Sequence, residues 1–349
     1  MLARRTLNLD TFPFDPVLEL TPETALRQRL SRTARAFAGG CISAYEHAVA
    51  HEARRHRCAI LHAHHGPSGC FALKARSALA IPLVTTFYGF DLTLPRDGLA
   101  FRQRYSRLFT EGTLFTCEGP AMADRLAGVG CPRDKIRIVR IGLDLVEFPF
   151  VQRERGRPLV VVQAGRFVPK KGVDVSIRAF ARARPRLGAS ELWLVGDGPE
   201  YAHLKGLVED LRLGNVVRFV GMLPPHEYRR LLMNVHIGLQ PSRTLPNGDT
   251  EGGAPTVLLE FQASGIPVVA TRHADIPSVV AFPAELVDEE DVEGLAVALE
   301  RLATISEGEW RERTQRGREL VELRHDAGRV AAATAHVYSE ALGLMRSTG

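Results

Sequence analysis

Two glutamates flank a turn almost without side chains in NGDTEGGAPTVLLEFQASGIPVVAT, residues 247–271. Glu251 precedes Gly252, Gly253, Ala254 and Pro255, and Glu260 follows four residues after Thr256. Proline at the first helical position loses no hydrogen bond, because that amide is unpaired in any case. Val257, Leu258 and Phe261 recur at helical spacing, and Ser264-Gly265 ends the run. The stretch predicts a helix whose first turn offers free amides and a partial positive charge behind a bare loop. The natural occupant is a diphosphate. Glu260 could accept hydrogen bonds from a diol such as a ribose, and Glu251 from hydroxyls at the other end of the same ligand. The connection from Pro241 to Ala254 has no clear element, and loops of that length in a compact domain usually serve function.

A second stretch supplies the counter-charge. VVVQAGRFVPKKGVDVSIRAFA reads as a strand, a loop carrying Arg166 and Lys171, and a helix opening near Val173. Two cations at the carboxyl edge of a parallel sheet could neutralise a diphosphate and hold it as it leaves. Lys170 reads as a solvated lysine. Other motifs carry less. LVGDGPEYAHL has Gly196 and Gly198 after a strand, but Tyr201 stands where the dinucleotide fingerprint needs its third glycine. A turn and helix start, with Glu200 near the helix N-terminus, explains it better. In LHAHHG, His62 and His64 share one strand face, yet no cysteine or carboxylate follows at ligand spacing, so no metal site is read there.

These loops need rigid strands behind them. From residue 59 onward, short Val/Ile/Leu runs alternate with helical patterns, which predicts parallel sheets with helices on both faces. The first half holds strands at Ala59–His64, Pro82–Phe87, Thr113–Cys117 and Ile136–Arg140. The second holds Leu159–Ala164, Glu191–Val195, Val216–Val220, Val235–Leu239 and Pro267–Ala270. Patterning lapses over residues 147–158, which divides the chain into domains at 1–150 and 151–325. A last helix, about Ala327–Leu344, follows in 326–349 and is free to cross back to the first domain. The fold class is α/β, with two Rossmann-like doubly wound sheets facing across a ligand cleft.

Composition agrees. The 349 residues are 45% hydrophobic and 24% charged, ordinary for a folded protein with room for two domains. No apolar run approaches the roughly 20 residues that span a bilayer. The five cysteines show no CxxC pairing and no zinc-finger spacing, which points to reduced thiols in a cytoplasm. Residues 1–150 carry 20 basic against 14 acidic side chains, and the remainder is nearly balanced. A basic first half suggests a phosphate-bearing or membrane-surface partner. It lacks the aromatic motifs of RNA binders and any DNA-reading helix, so nucleic acid is not an expected partner. Ala25–Phe37 and Leu99–Phe109 are basic amphipathic helices. Packing on their own sheet is the first reading, and docking of a lipid-linked acceptor the second.

The stretches AGRFVPKKG, LVGDGPE, VRFVGMLP and PSR…NGDTEGGAPTVLLEFQASGIPVVAT, and more weakly ILHAHHGPSG, TTFYGFD and IGLDLVEFP, resemble the retaining GT-B glycosyltransferases of family 4. The resemblance covers most of residues 59–300. It implies transfer of a hexose from a UDP- or GDP-sugar to a hydroxyl of a glycan or lipid-linked acceptor, without a cofactor or metal, in polysaccharide or glycolipid biosynthesis. It assigns Arg166 and Lys171 to the diphosphate, Glu260 to the ribose and Glu251 to sugar hydroxyls, with Gly252, Gly253, Ala254, Pro255 and Thr256 around them. Gly221 and Met222 would line the base, while His64, Tyr88 and Asp91 would face the cleft from the first domain. The chain departs from the family pattern in three ways. Eight residues rather than seven separate Glu251 from Glu260, and Tyr88 stands where histidine is frequent. The family's opening strand and glycine turn have no counterpart in MLARRTLNLDTFPF, so the first domain reads as shortened. A non-catalytic nucleotide-sugar-binding subunit and a sugar-nucleotide epimerase remain as alternatives.

Overall fold

The structure, a computed structural model, describes residues 2–3, 18–19, 44–93, 99–156 and 158–347. The basic segment Ala25–Phe37 lies outside them. Two short strands, β1 (Leu2–Ala3) and β2 (Leu18–Glu19), pair in parallel with each other. The first lobe then runs α1 (Ala44–Arg55), β3 (Leu61–His64), α2 (Gly66–Leu79), β4 (Leu83–Thr86), α3 (Phe90–Thr93), α4 (Leu99–Glu111), β5 (Leu114–Cys117), α5 (Pro120–Gly128) and β6 (Ile136–Ile138). Its sheet is parallel in the order β3-β4-β5-β6.

The second lobe runs β7 (Leu159–Ala164), α6 (Val173–Leu187), β8 (Ser190–Val195), α7 (Tyr201–Asp210), β9 (Val217–Gly221), α8 (Pro225–Leu232), β10 (Ile237–Gln240), α9 (Thr256–Ala263), β11 (Val268–Thr271), β12 (Leu286–Val287), α10 (Val292–Thr304) and α11 (Glu307–His325). Its six-stranded parallel sheet has the order β12-β11-β10-β7-β8-β9. Strand order reverses at β7, so the loop after β7 and the loop after β10 open beside each other, where parallel sheets place ligands.

Burial explains why these runs become central strands. Leu159–Ala164 is buried at every position, and apolar clusters cover both faces of the second sheet. The first sheet is asymmetric. Leu83, Phe87, Phe115 and Cys117 meet Leu73, Tyr105, Leu108 and Phe109 on one face. On the other, Val84 and Leu114 meet Val337 and Ala341 of the final helix, α12 (Ala327–Ser347), which Glu340 ties to Arg137 of β6. Helix α4 buries Tyr105, Leu108 and Phe109 while Arg104 and Arg107 stay exposed, as a helix packed on its own sheet does. No helix among the described residues is long and apolar enough to cross a membrane.

Two local readings need correction. Strand β12 escaped notice because two residues give no periodicity. Pro255 is extended (φ −61°, ψ 131°) and precedes the helix, which begins at Thr256 rather than at the proline. The LVGDGPE stretch is the turn and helix start read from sequence, with α7 opening at Tyr201 after Glu200, and Gly196 and Gly198 answer to close approach by the loop after β7. Side chains there would meet the Gly165 carbonyl and the Phe167 backbone at 2.0 and 2.5 Å.

Gly172 fixes the end of that loop. Its φ is +62°, and a Cβ would lie 2.1 Å from the Pro241 carbonyl oxygen. Left-handed backbone costs an L-residue about 1–2 kcal/mol before any clash. Gly172→Ala should lower the unfolding free energy by at least about 1 kcal/mol, read as a lower midpoint in urea; an unchanged midpoint would contradict this account of the loop.

Candidate functional site

Lys171 and Glu251 meet across the two loops. Lys171 Nζ lies 2.9 Å from Glu251 Oε1, with the two side chains 17% and 9% exposed. Gly165 lies beside the lysine stem, where a Cβ would make ordinary contact with Lys171 Cε at 3.6 Å. Ser242 Oγ donates to the same carboxylate oxygen at 2.9 Å and accepts from Gln240 Nε2 at 2.8 Å. An ion pair sheltered from water holds its geometry better than a surface pair. Lys170 is not a solvated lysine. Its ammonium donates to Asp249 Oδ1 and the Thr250 carbonyl, each at 3.0 Å, and fastens the long loop.

The turn itself is anchored from behind by a histidine that sequence reasoning missed. His273, 1% exposed, accepts at Nε2 from the Glu251 amide at 3.2 Å and from Thr250 Oγ1 at 2.8 Å. Because an amide donates to Nε2, the proton sits on Nδ1, which donates to Glu289 Oε1 at 2.7 Å. Burial opposes the charge on Glu289, but the Thr244 amide and His273 outweigh it and hold that carboxyl below its usual range.

Of the other expected residues, Arg166 is exposed at the end of β7 and has no side-chain partner among the described residues. Glu260 is half-buried on α9, and burial raises its carboxyl while the Tyr228 phenol beside it pulls the other way. Thr256 opens α9 and is exposed. Gly221 ends β9 with open space where a side chain would be, and Met222 is 79% exposed, so this edge is open. His64 is exposed and hydrogen-bonds Tyr88 through Nδ1 at 2.5 Å. Asp91 does not face the cleft. It is buried, and its carboxylate accepts from the amides of Gly66 at 2.9 Å and Tyr88 at 3.1 Å, which makes it a brace for its own lobe. The neighbouring His62 is equally committed, to Tyr338 and Thr86, each at 2.6 Å.

The lobes touch backbone to backbone at this turn. A Cβ on Gly89 would lie 2.3 Å from the Gly252 Cα, and the reverse is equally tight. Two carboxylates cross the seam in opposite directions. Asp275, in the loop after β11, accepts from the Ala121 and Met122 amides at the start of α5, at 2.7 and 3.1 Å. Glu118, after β5, lies over the bare Cα of Gly253, where a Cβ would come within 2.1 Å of Oε2. Burial pushes the Glu118 carboxyl up to about 7. The charge of Asp275 adds to this, the Ala254 amide opposes it, and Asp91 and Glu251 add smaller contributions. No local pattern in FTCEGPAM marked Glu118, because its partners lie in the other lobe.

Comparison with known proteins follows this geometry. The family of glycosyl transferases group 1 matches residues 146–319, and glycosyltransferase family 4 matches residues 24–147. WcaL of Escherichia coli K12, named for glycosyl transfer in colanic acid biosynthesis, is 34% identical over 275 residues, 77% of this chain and 67% of WcaL. AmsK of Erwinia amylovora, named as an amylovoran biosynthesis glycosyltransferase, is 32% identical over 245 residues, 69% of this chain and 60% of AmsK. The matches thus span about two thirds or less of these relatives. HepE of Anabaena, solved with UDP and glucose, superposes with a TM-score of 0.70 at 18% identity, covering 85% of this chain and 81% of that one. A glycosyltransferase of Rickettsia africae gives 0.75 at 15%, covering 98% and 89%. At such identities these structures speak for the fold, two facing parallel-sheet lobes of the GT-B kind.

Removing the ring of His273 would strand the Glu251 amide and the Thr250 hydroxyl. A buried donor left without an acceptor costs about 1–3 kcal/mol. His273→Ala should therefore lower the urea midpoint by a corresponding amount, and a midpoint within error of wild type would contradict the anchoring role.

Proposed function

Since the chain belongs to the glycosyltransferases of group 1 and family 4, we propose that it moves a hexose from a nucleoside diphosphate sugar to a hydroxyl of a glycan or lipid-linked acceptor in polysaccharide or lipopolysaccharide biosynthesis. The observation that carries this reading is the Lys171–Glu251 pair at the foot of α9. It puts a cation, a hydroxyl-binding carboxylate and free helix amides within one ligand's length.

In this reading the diphosphate takes Lys171 from Glu251. It gains the amides of Gly253 and Thr256 and the unpartnered Arg166, and Glu251 is released to accept from sugar hydroxyls. The three changes are coupled, since a carboxylate beside an arriving diphosphate would repel it unless a hydroxyl came between. Glu260 takes the ribose diol, and Gly221 and Met222 line the base at the open edge of β9. These fixed donors act most strongly on charge that develops at the leaving group. Lys171, Arg166 and α9 meet that charge without a metal ion. The hexose keeps its anomeric configuration in this reading, the acceptor hydroxyl attacking on the face from which the diphosphate leaves. Names of relatives support the class of product: WcaL and AmsK are named for exopolysaccharides, and LpsE of Rhizobium meliloti for the lipopolysaccharide core. HepE was solved with UDP, which supports a nucleotide donor.

Calorimetry with UDP and GDP tests the reading. Wild type should bind one of them, with Lys171→Ala and Glu260→Ala each at least about tenfold weaker, roughly 1.4 kcal/mol. A wild type that binds neither, or a Lys171→Ala variant that binds as tightly, would contradict it.

A further inference from the structure

Two arginines close to the seam have no carboxylate partner. Arg140, just past β6, donates from Nη1 to Ser278 Oγ at 3.3 Å, and its other guanidinium N–H groups have no acceptor among the described residues. Arg324, near the end of α11, donates to the carbonyl of the same serine at 3.5 Å. Neither forms an ion pair among the described residues. Burial lowers the Arg140 guanidinium from its usual range, and the charge of Arg324 lowers it further, against the pull of Asp275. Asp275 is itself committed to the Ala121 and Met122 amides. A half-buried cation in this state is stabilised by an anion that reaches it.

Arg140 lines a cavity of about 350 Å³ between the first sheet and α12, at the lower end of the roughly 300–1,000 Å³ of ligand sites. Four valines, Val84 and Val337 among them, give it apolar walls, and Thr116 and Tyr338 add hydroxyls. Arg140 is the one lasting cation among the described lining residues, because burial pushes His62 down to about 4 and lowers His64 too. Two further lining residues border the turn before α9. Glu118 lies over Gly253, and a Cβ on Gly252 would come within 3.1 Å of the Tyr88 carbonyl oxygen. Resting on the proposed transfer, we propose that this cavity holds the acceptor and that Arg140 selects one carrying an anionic group, a sugar carboxylate or a phosphate, besides the hydroxyl that receives the hexose.

Each anion then has its own cation. The acceptor's meets Arg140 of the first lobe, and the diphosphate meets Lys171 and Arg166 of the second. Arg324 adds positive charge next to Arg140 without lining the cavity itself. The mixture of apolar wall and hydroxyls suits a sugar ring, apolar on its faces and polar at its edge. Glu118 is the one acid among the described lining residues, and burial followed by the charge of Asp275 pushes its carboxyl up to about 7. Near neutral pH a large share of it is protonated, which weakens its repulsion of an anion.

The probes are methyl glucoside, methyl glucuronide and methyl glucoside 6-phosphate, with glucosyl diphosphofarnesol for a lipid-borne phosphate. Each is offered with UDP-glucose or GDP-mannose, whichever raises the melting temperature of wild type, and nucleotide release is followed. Saturation-transfer NMR titrations of the methyl glycosides on protein loaded with UDP or GDP read binding without turnover. At least one anionic compound should half-saturate wild type at a concentration at least about tenfold below that of methyl glucoside. A preference for the glucuronide identifies a carboxylate, for the 6-phosphate a sugar phosphate, and for the farnesol compound a lipid carrier. Arg140→Met should erase the preference and Arg140→Lys should keep part of it, while both bind UDP or GDP within about twofold of wild type. Arg140→Gln takes the place of Arg140→Met if that variant does not fold. A wild type that treats neutral and anionic compounds alike in both readings, or an uncharged variant that binds nucleotide and keeps the preference, would overturn the role of Arg140 and leave the transfer reading standing. A wild type that binds neither nucleotide removes the transfer reading, and this acceptor site with it.

Discussion

The site depends on a helix that can be approached end-on. Helix α9 starts with unpaired amides like any helix, and Gly252, Gly253, Ala254 and Pro255 put little side chain in front of them, where only the Glu118 carboxylate of the other lobe comes in, over Gly253 and on the Ala254 amide. The same bareness lets the lobes meet, with Gly89 and Gly252 in contact where any side chain would push them apart. One turn therefore forms both the proposed ligand cradle and a contact between the lobes. Everything else at the site is arranged around that turn. Lys170 fastens the approach loop, His273 holds the Glu251 amide, and Gly172 sets the loop that delivers Lys171.

Charge at the seam follows a second logic. Each lobe sends a carboxylate toward a helix start in the other, Asp275 to α5 and Glu118 toward α9, and each stands over a glycine, Gly119 or Gly253. Helix N-termini stabilise such carboxylates, yet burial raises both above their usual range, and the charge of Asp275 adds to the rise at Glu118. A diphosphate entering the seam meets Lys171, which already has a partner, and it must compete with Glu251 for that cation.

Much of this was legible from sequence because it is local. Fully apolar runs such as Leu159–Ala164 announce parallel strands, and glycine and proline before a helical repeat announce the turn that leads into α9. That the Lys171 and Glu251 loops share the carboxyl edge of one sheet was legible, while the direct ion pair between the two side chains was not. What stayed hidden depends on distant partners. Asp91 looked like a cleft residue, but its partner Gly66 is 25 positions away and turns it inward. Glu118 and His273 lie in stretches without a local signature, and their meaning comes from Gly253, Glu251 and Glu289 across the fold. Lys170 and Lys171 are adjacent and alike in type. Only the short 3-10 turn at Pro169–Lys171 sends one to Asp249 and the other to Glu251.

The central claim is that the turn before α9, with Lys171 and Arg166, binds the phosphates rather than the nucleoside. The most direct measurement compares uridine, UMP and UDP, or the guanosine series, by calorimetry at fixed ionic strength. The account predicts that affinity climbs with each phosphate and that the gain from the second phosphate shrinks at high salt, as charge-assisted contacts require. Equal affinity for nucleoside and nucleoside diphosphate would contradict it.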